Sequence, residues 1–223
     1  MPKMANTQTA AYALTVADLL RKQAGTRAHA VALQDARGVL SYGELDRAAS
    51  RLAQAMLVRG LRAGDRVAVL SENCREYLQL QLAAAKIGVA VACLNWRLAD
   101  AELTHCLRLV SPIMVFVSAR YAPTLARIGH GVAQVILIET QFDAFLAGVL
   151  EDDPRIDVDP EQGLVILYTS GTTGLPKGAV ISQRAMVARA MCFAAQYGIG
   201  PEHSYVAWSP LFHMAATDFS LAT

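Results

Sequence analysis

Four short apolar runs alternate with helical patterns along the middle of the chain, and this alternation constrains the fold more than any other feature of the sequence. The runs are RVAVL (66–70), VAVACL (89–94), IMVFV (113–117) and QVILI (134–138). Apolar residues at helical spacing lie between them, over 76–87, 100–110 and 121–128. Such alternation is typical of parallel strands joined by right-handed crossovers. The sequence therefore predicts an α/β fold with a mostly parallel sheet flanked by helices.

Hydroxyl residues mark the starts of three further helices. Thr15 precedes Asp18 by three residues, and Ser41 precedes Glu44 in the same way. This spacing is the capping-box pattern, in which a hydroxyl and a carboxylate bond each other's backbone N–H groups. The second of these helices is predicted to end at Gly60. Ser182 starts a third helix that runs to about 197, and AVALQDARGVLSY (30–42) predicts a β-hairpin before the second helix.

Composition sets the broad class of protein. The chain has 223 residues, of which 54% are hydrophobic and 17% charged. That excess of apolar residues suits a parallel sheet covered on both faces, and it also suits a fragment whose exposed patch a further portion would cover. No run approaches eighteen uncharged apolar residues, and the N-terminus lacks the apolar stretch of a signal peptide. A cytoplasmic location without a membrane span is expected.

The charge and the cysteines argue against a nucleic-acid-binding protein and against a zinc protein. The net charge is +1 with no basic cluster, so a nucleic-acid partner is not expected. The four cysteines, at 74, 93, 106 and 192, form no C-x-x-C pair and are predicted to be reduced thiols in the core. His105 stands beside Cys106, but no second close pair accompanies it, so no zinc site is predicted.

The string YTSGTTGLPKG (168–178) carries the chemistry. Apolar residues flank it on both sides, over 164–168 and 179–181, which predicts a loop between two strands. The loop contains four hydroxyl residues, Thr169, Ser170, Thr172 and Thr173. It also contains Gly171, Gly174, Gly178 and Lys177. Glycines leave backbone N–H groups open to phosphate oxygens, the hydroxyls donate further hydrogen bonds, and lysine adds a positive charge. The pattern therefore predicts a polyphosphate site.

This loop differs from the P-loop of nucleotide hydrolases. That motif needs glycine five residues after the first glycine, then Lys and Ser or Thr, and then a helix. Counted from Gly171, the required glycine falls on Pro176, and Gly178 stands where the hydroxyl should be. A strand is predicted to follow in place of a helix. The sequence therefore argues against a phosphate-loop hydrolase. Hydrolysis of ATP to ADP, and not cleavage to AMP, would support that alternative.

The longer string YTSGTTGLPKGAV (168–180) resembles the phosphate-binding signature of the adenylate-forming enzymes. This superfamily includes acyl-CoA synthetases, peptide-synthetase adenylation domains and beetle luciferases. The resemblance implies that ATP and a carboxylic acid give an acyl-adenylate and pyrophosphate, after which a thiol, that of CoA in the synthetases, displaces AMP. It implies Mg²⁺ as well. The implied ATP-binding residues are Thr169, Ser170, Gly171, Thr172, Thr173, Gly174 and Lys177, and Lys177 is also a catalytic candidate.

A second string, YVAWSPLFHMAATDFSLAT (205–223), resembles the strand, Pro-Leu-Phe-His turn and helix of the same superfamily. His213 occupies the place of a histidine beside the acyl-binding tunnel, which makes it the second catalytic candidate. Taken alone, a single histidine is more often an ordinary packed residue. Ala216 departs from the family, where glycine often stands three positions after the histidine.

The string LNWRLADAEL (94–103) resembles a turn in fatty-acyl and aryl-CoA synthetases, which favours them over peptide-synthetase domains. Arg97 is a candidate for binding a phosphate of CoA. The alternative is a surface arginine that flanks a helix.

Three parts are predicted along the chain: an α/β subdomain (1–150), a linker (151–163) and the start of an ATP- and acyl-binding portion (164–223). The linker, EDDPRIDVDPEQG, is interpreted as a solvated connector and not as a magnesium site. The family's magnesium-binding glutamate, ribose-binding aspartate, hinge and C-terminal domain would lie beyond Thr223. A truncated chain that associates with that portion or with itself is expected. A short nucleotide- or acyl-binding protein without catalysis is the alternative.

Overall fold

The chain forms two sheets, with helices on both faces of the larger one, over residues 13–169 and 174–223, which the computed structural model describes. The strands are β1 (Val31–Asp35), β2 (Gly38–Ser41), β3 (Arg66–Leu70), β4 (Ala90–Cys93), β5 (Met114–Val117), β6 (Gln134–Leu137), β7 (Gly163–Thr169) and β8 (Lys177–Ser182). The helices are α1 (Val16–Thr26), α2 (Tyr42–Val58), α3 (Arg75–Ile87), α4 (Asp100–Val110), α5 (Ala122–Arg127), α6 (Ile138–Leu146), α7 (Gln183–Tyr197) and α8 (Met214–Ala222). None of these helices is both long and apolar enough to span a bilayer.

The larger sheet has six strands in the order β6-β5-β3-β4-β7-β8. Five of them run parallel, and β8 pairs antiparallel with β7 at one edge. The smaller sheet is the predicted hairpin of β1 and β2. The predicted fold class, a mostly parallel sheet flanked by helices, is confirmed. The sheet also continues across the predicted linker, since β7 pairs with β4.

Two cores lie on opposite faces of the six-stranded sheet. The first contains alternate strand residues such as Val67 and Val91 together with α1, α2, α3 and α6 and parts of α7 and α8. The second contains the intervening residues, such as Ala68 and Ala92, together with α4 and α5. Because β3 and β5 are adjacent and their following helices, α3 and α5, pack on opposite faces, the connections diverge between these two strands. In open α/β sheets, ligands bind at the carboxyl ends of the strands at such a point.

The predicted helix caps are present. The side chains of Thr15 and Ser41 accept hydrogen bonds from the N–H groups of Asp18 and Glu44, and both capping boxes are complete. One helix was missed. The run 134–138 was predicted as strand to its end, but α6 begins at Ile138 and buries Phe142, Phe145 and Leu146. These apolar residues recur at helical spacing, so the signal for α6 was present in the sequence.

The prediction that all four cysteines lie in the core is wrong for Cys192. Cys93 and Cys106 are buried and Cys74 is partly buried, whereas Cys192 is exposed on α7. This helix packs one side against the first core, through Met186 and Val187. Cys192 lies on its other side.

A buried ion cluster corrects the interpretation of the linker as a wholly solvated connector. Lys86 on α3 has no exposed side-chain surface, and its ammonium lies 2.7 Å from Asp46 Oδ1 and 2.9 Å from Asp153 Oδ2. Arg21 Nε lies 2.7 Å from the same Asp153 oxygen. Burial alone would raise the pKa of Asp153, but hydrogen bonds from Arg21 and Lys86 hold that pKa well below its usual range. Asp153 therefore fixes the linker against α1, α2 and α3.

Candidate functional site

The predicted phosphate loop is carried by the β7–β8 hairpin. Thr169 is the last residue of β7 and Lys177 the first of β8, and the two are direct partners in the antiparallel ladder. Opposed residues in such a ladder place their side chains on the same face of the sheet. Val165 and Leu167 belong to the first core, so Thr169 and Lys177 lie on that face by alternation. The predicted strand-loop-strand arrangement is confirmed.

Within this loop, Ser170, Gly171, Thr172 and Thr173 lie outside the described residues, so their predicted roles stay predictions. Gly174 is described and has φ +146°, a conformation that side chains rarely adopt. Lys177 is exposed, and its ammonium has no ion pair or hydrogen bond with any residue in 13–169 or 174–223. A free cation and a hydroxyl thus lie together at the ends of the loop.

Gly178 has a packing role that its sequence context did not reveal. A Cβ added at Gly178 would lie 3.2 Å from Ile166 Cγ2 and 3.5 Å from Leu109 Cδ2. The glycine therefore lets β8 approach β7 and α4 closely. A serine or threonine here, as in a P-loop, would be crowded.

Helix α4 holds both sides of the loop from the opposite face of the sheet. His105 Nε2 lies 3.0 Å from the carbonyl oxygen of Pro176, and Tyr168 Oη donates to the carbonyl of Cys106 at 3.1 Å. A carbonyl oxygen only accepts, so His105 Nε2 carries the proton. Burial raises the pKa of Tyr168 well above its usual value, so the phenol remains a donor. Sequence reasoning considered His105 only as a metal ligand and missed this contact.

His213 is the N-cap residue of α8, and its side chain is exposed. Its neighbour Phe212 is buried and meets the Trp96 ring edge-on, with ring centroids 5.7 Å apart. Trp96 in turn stacks on Tyr121 at 5.6 Å. Since Trp96 follows β4 and Tyr121 follows β5, His213 lies at the carboxyl edge of the parallel strands. Ala216 is completely buried in the first core.

The prediction of a strand before this turn is wrong. Residues 203–208 pair with no strand among the described residues, and Val206 and Trp208 are 79% and 80% exposed. The β-branched and aromatic residues of this stretch favour strand locally, but a strand exists only where a neighbour completes the ladder. The side chain of Asn73, from the loop after β3, binds the end of this segment at Ala207 and the turn after it at Ser209 and Leu211.

Two arginines lie at the same edge of the sheet. Arg97 is exposed, and its guanidinium carbon lies 4.8 Å from the Trp96 ring centroid. The guanidinium carbon of Arg120 lies 5.5 Å from the Tyr121 ring centroid. Burial and Glu72 raise the pKa of Tyr121, while Arg120 and Arg97 act to lower it. Arg120 follows the end of β5 in the chain, and its Nη1 lies 3.5 Å from Glu72 Oε1.

The structure thus brings Thr169 and Lys177 together, and it places His213 on the same face of the sheet, with no direct bond between His213 and Lys177. It tests none of their predicted roles in catalysis or binding. In 13–169 and 174–223, no group of three or more His, Cys, Asp or Glu side chains could hold a metal ion. The residues described thus supply no carboxylate cluster that would hold Mg²⁺ without help from a bound phosphate.

Comparison with known proteins gives concordant matches. The profile of the AMP-binding enzyme family matches residues 20–223. A fatty acid–acyl-carrier-protein ligase from Streptomyces coeruleorubidus is 35% identical over 151 residues, which are 67% of this chain and 29% of that protein. A feruloyl-CoA synthase from Amycolatopsis is 30% identical over 189 residues, 84% of this chain and 37% of that protein.

Comparison with solved structures points to proteins of the same kind. The N-terminal domain of FACL13 from Mycobacterium tuberculosis, solved with an inhibitor, superposes with a TM-score of 0.83 at 26% identity. The match covers 93% of this chain and 54% of that structure. The chain thus spans about half of this solved domain and a smaller share of the two ligases.

Proposed function

The chain belongs to the AMP-binding enzyme family, and we propose that it provides the phosphate loop and part of the acyl site of a ligase that activates a carboxylic acid with ATP. The observation that carries the proposal is the pairing of Thr169 with Lys177 at the ends of the glycine-rich loop, where Lys177 has no counter-ion among residues 13–169 and 174–223. The two ligase relatives support the same reaction class.

In the first step, a carboxylate oxygen forms a bond to the α-phosphorus of ATP while the bond to pyrophosphate breaks. Lys177 binds the departing pyrophosphate, whose charge grows in the transition state. Thr169 and the loop residues at 170–174 hold the β- and γ-phosphates in line for the displacement. His213 contacts the carboxylate from the start of α8. The described residues form no ligand cluster for Mg²⁺.

In the second step, the thiol gives its proton to solvent, its sulfur forms a bond to the acyl carbon, and the bond from that carbon to the AMP oxygen breaks, so that AMP leaves with the bonding electrons. CoA is the proposed acceptor, with Arg97 binding one of its phosphates. The resemblance to the acyl-carrier-protein ligase makes a carrier-protein thiol the second candidate. Comparing the two acceptors in the same assay decides between them.

The first test measures carboxylate-dependent exchange of labelled pyrophosphate into ATP by the protein at its full encoded length. Fatty and aryl carboxylic acids form the panel, because relatives of both kinds are found. We expect exchange with at least one acid and AMP as the nucleotide product. Formation of ADP, or a complete lack of dependence on the acid, would contradict the proposal and favour a binding protein or a hydrolase.

The role of His213 is tested by replacing it with alanine. As a contact of the carboxylate, His213→Ala should lower kcat/KM for the acid and leave KM for ATP within about threefold of the wild-type value. The matched control is His29→Ala, since His29 is exposed in the connection before β1. Equal impairment with both substrates would identify His213 as a merely structural residue.

A further inference from the structure

Asn73 uses its whole side-chain amide to hold the segment that leads to His213. Its Nδ2 donates to the carbonyl oxygens of Ala207 and Ser209, each at 2.8 Å. Its Oδ1 accepts from the N–H of Leu211 at 2.9 Å. Asn73 itself lies in the loop between β3 and α3, at the edge where the connections diverge.

These three bonds join Asn73 to the end of the unpaired segment 203–208 and to the turn that follows it. They supply partners for two carbonyl groups, at 207 and 209, and for one N–H group, at 211. Backbone polar groups that leave water need partners, and asparagine offers two donors and an acceptor in one plane. Aspartate has the same shape but no donor at neutral pH.

The contacts continue from Asn73 to His213 without a break. Next to the bonded Leu211, Phe212 is anchored in the first core against Trp96. The His213 N–H donates to the carbonyl of Pro210 at 2.9 Å, and Thr217 Oγ1 donates to the carbonyl of Leu211 at 3.2 Å. The backbone on which the exposed imidazole stands is thus fixed from both sides.

We infer that Asn73 is a positioning residue for His213 and, through it, for the carboxylate substrate. This inference rests on the proposed function of His213. Asn73 touches no reacting atom in the proposed reaction, since all of its bonds go to the backbone of 207–211. Its effect is on where the imidazole lies, and a small displacement of a substrate contact is enough to slow a reaction.

The kinetic test uses Asn73→Ala and the isosteric Asn73→Asp. Each should lower kcat/KM for the acid by about ten- to hundredfold and leave KM for ATP within about threefold. Gln54→Ala is the matched control: Gln54 also donates its amide to a backbone carbonyl, that of Asp152 at 3.0 Å, but from α2. It should leave both substrates unaffected. Equal losses for acid and ATP, or loss of the fold in both Asn73 variants, would overturn the inference.

Hydrogen exchange separates this inference from the proposed function. In both variants, amides in the peptide 205–213 should exchange about tenfold faster, while peptides from β3 and β4 keep their wild-type rates. Unchanged exchange in 205–213 would show that Asn73 does not hold the turn, whatever the kinetics. If the wild-type protein showed no carboxylate-dependent exchange of pyrophosphate into ATP, the proposed function would be wrong. The hydrogen-exchange rates of the peptide 205–213 would still decide whether Asn73 fixes this segment.

Discussion

Replacing Lys177 with alanine should lower the kcat of carboxylate-dependent pyrophosphate release roughly 30- to 900-fold. The ammonium is exposed beside Thr169 and has no counter-ion among the residues described, so it is available to a polyphosphate. Because the charge on pyrophosphate grows as it departs, a cation beside it stabilises the transition state over the ground state by about 2 to 4 kcal/mol. Single-turnover measurement with a saturating acid reports this step directly.

The control for this experiment is Lys22→Ala, which removes an exposed lysine from α1. It changes the net charge equally and should leave kcat unchanged. If Lys177→Ala altered only KM for ATP, Lys177 would bind the ground state and the transition state alike. An unchanged kcat would refute its catalytic assignment.

The second large effect concerns stability. Lys86→Met should lower the free energy of unfolding by about 3 to 5 kcal/mol at pH 7, because the mostly buried carboxylates of Asp46 and Asp153 would lose their shared cation. Chemical denaturation measures this difference. Lys22→Met, on the exposed side of α1, is the matched control and should stay within about 0.5 kcal/mol of the wild type.

The stability difference between the wild type and Lys86→Met should depend on pH. The folded-state pKa of Asp153 is depressed, so its paired carboxylate contributes stability above the unfolded-state pKa of about 3.9, and the contribution is lost as the pH falls toward the folded-state pKa. The gap between wild type and Lys86→Met should therefore shrink below about pH 4. A gap that persists unchanged at lower pH, or none at pH 7, would show that Lys86 is only a space-filling side chain.

Local patterns predicted most of the framework. The strands β3 to β6, the hairpin that carries the phosphate loop and the caps at Thr15, Ser41 and Ser182 all follow from periodicity or from residues close in sequence. These signals work because side-chain direction repeats every two residues in a strand and every 3.6 in a helix. The family resemblance added the candidate residues that periodicity could not identify.

What the sequence did not predict depends on contacts between distant residues. Asn73 meets 207–211, His105 meets Pro176, and Lys86 meets Asp153 only once the sheet has formed. No spacing pattern connects such pairs. The strand predicted before His213 is absent for the same reason. The composition of this stretch favours a strand, but some of its backbone groups bond the side-chain amide of Asn73, which comes from a distant loop.

The pairing of β4 with β7 has a consequence for how the protein is made. Val91 pairs with Val165, and the three crossover helices α4, α5 and α6 lie between these partners in the chain. During synthesis, β3 to β6 leave the ribosome before β7. The backbone N–H and C=O groups on the β7 side of β4 stay unpaired until β7 has been synthesised. Closing so long a loop is slow, and an unpaired apolar strand edge invites association in the meantime. The hairpin of β7 and β8 therefore completes both the sheet and the phosphate loop, and a nascent chain is prone to association until this hairpin docks.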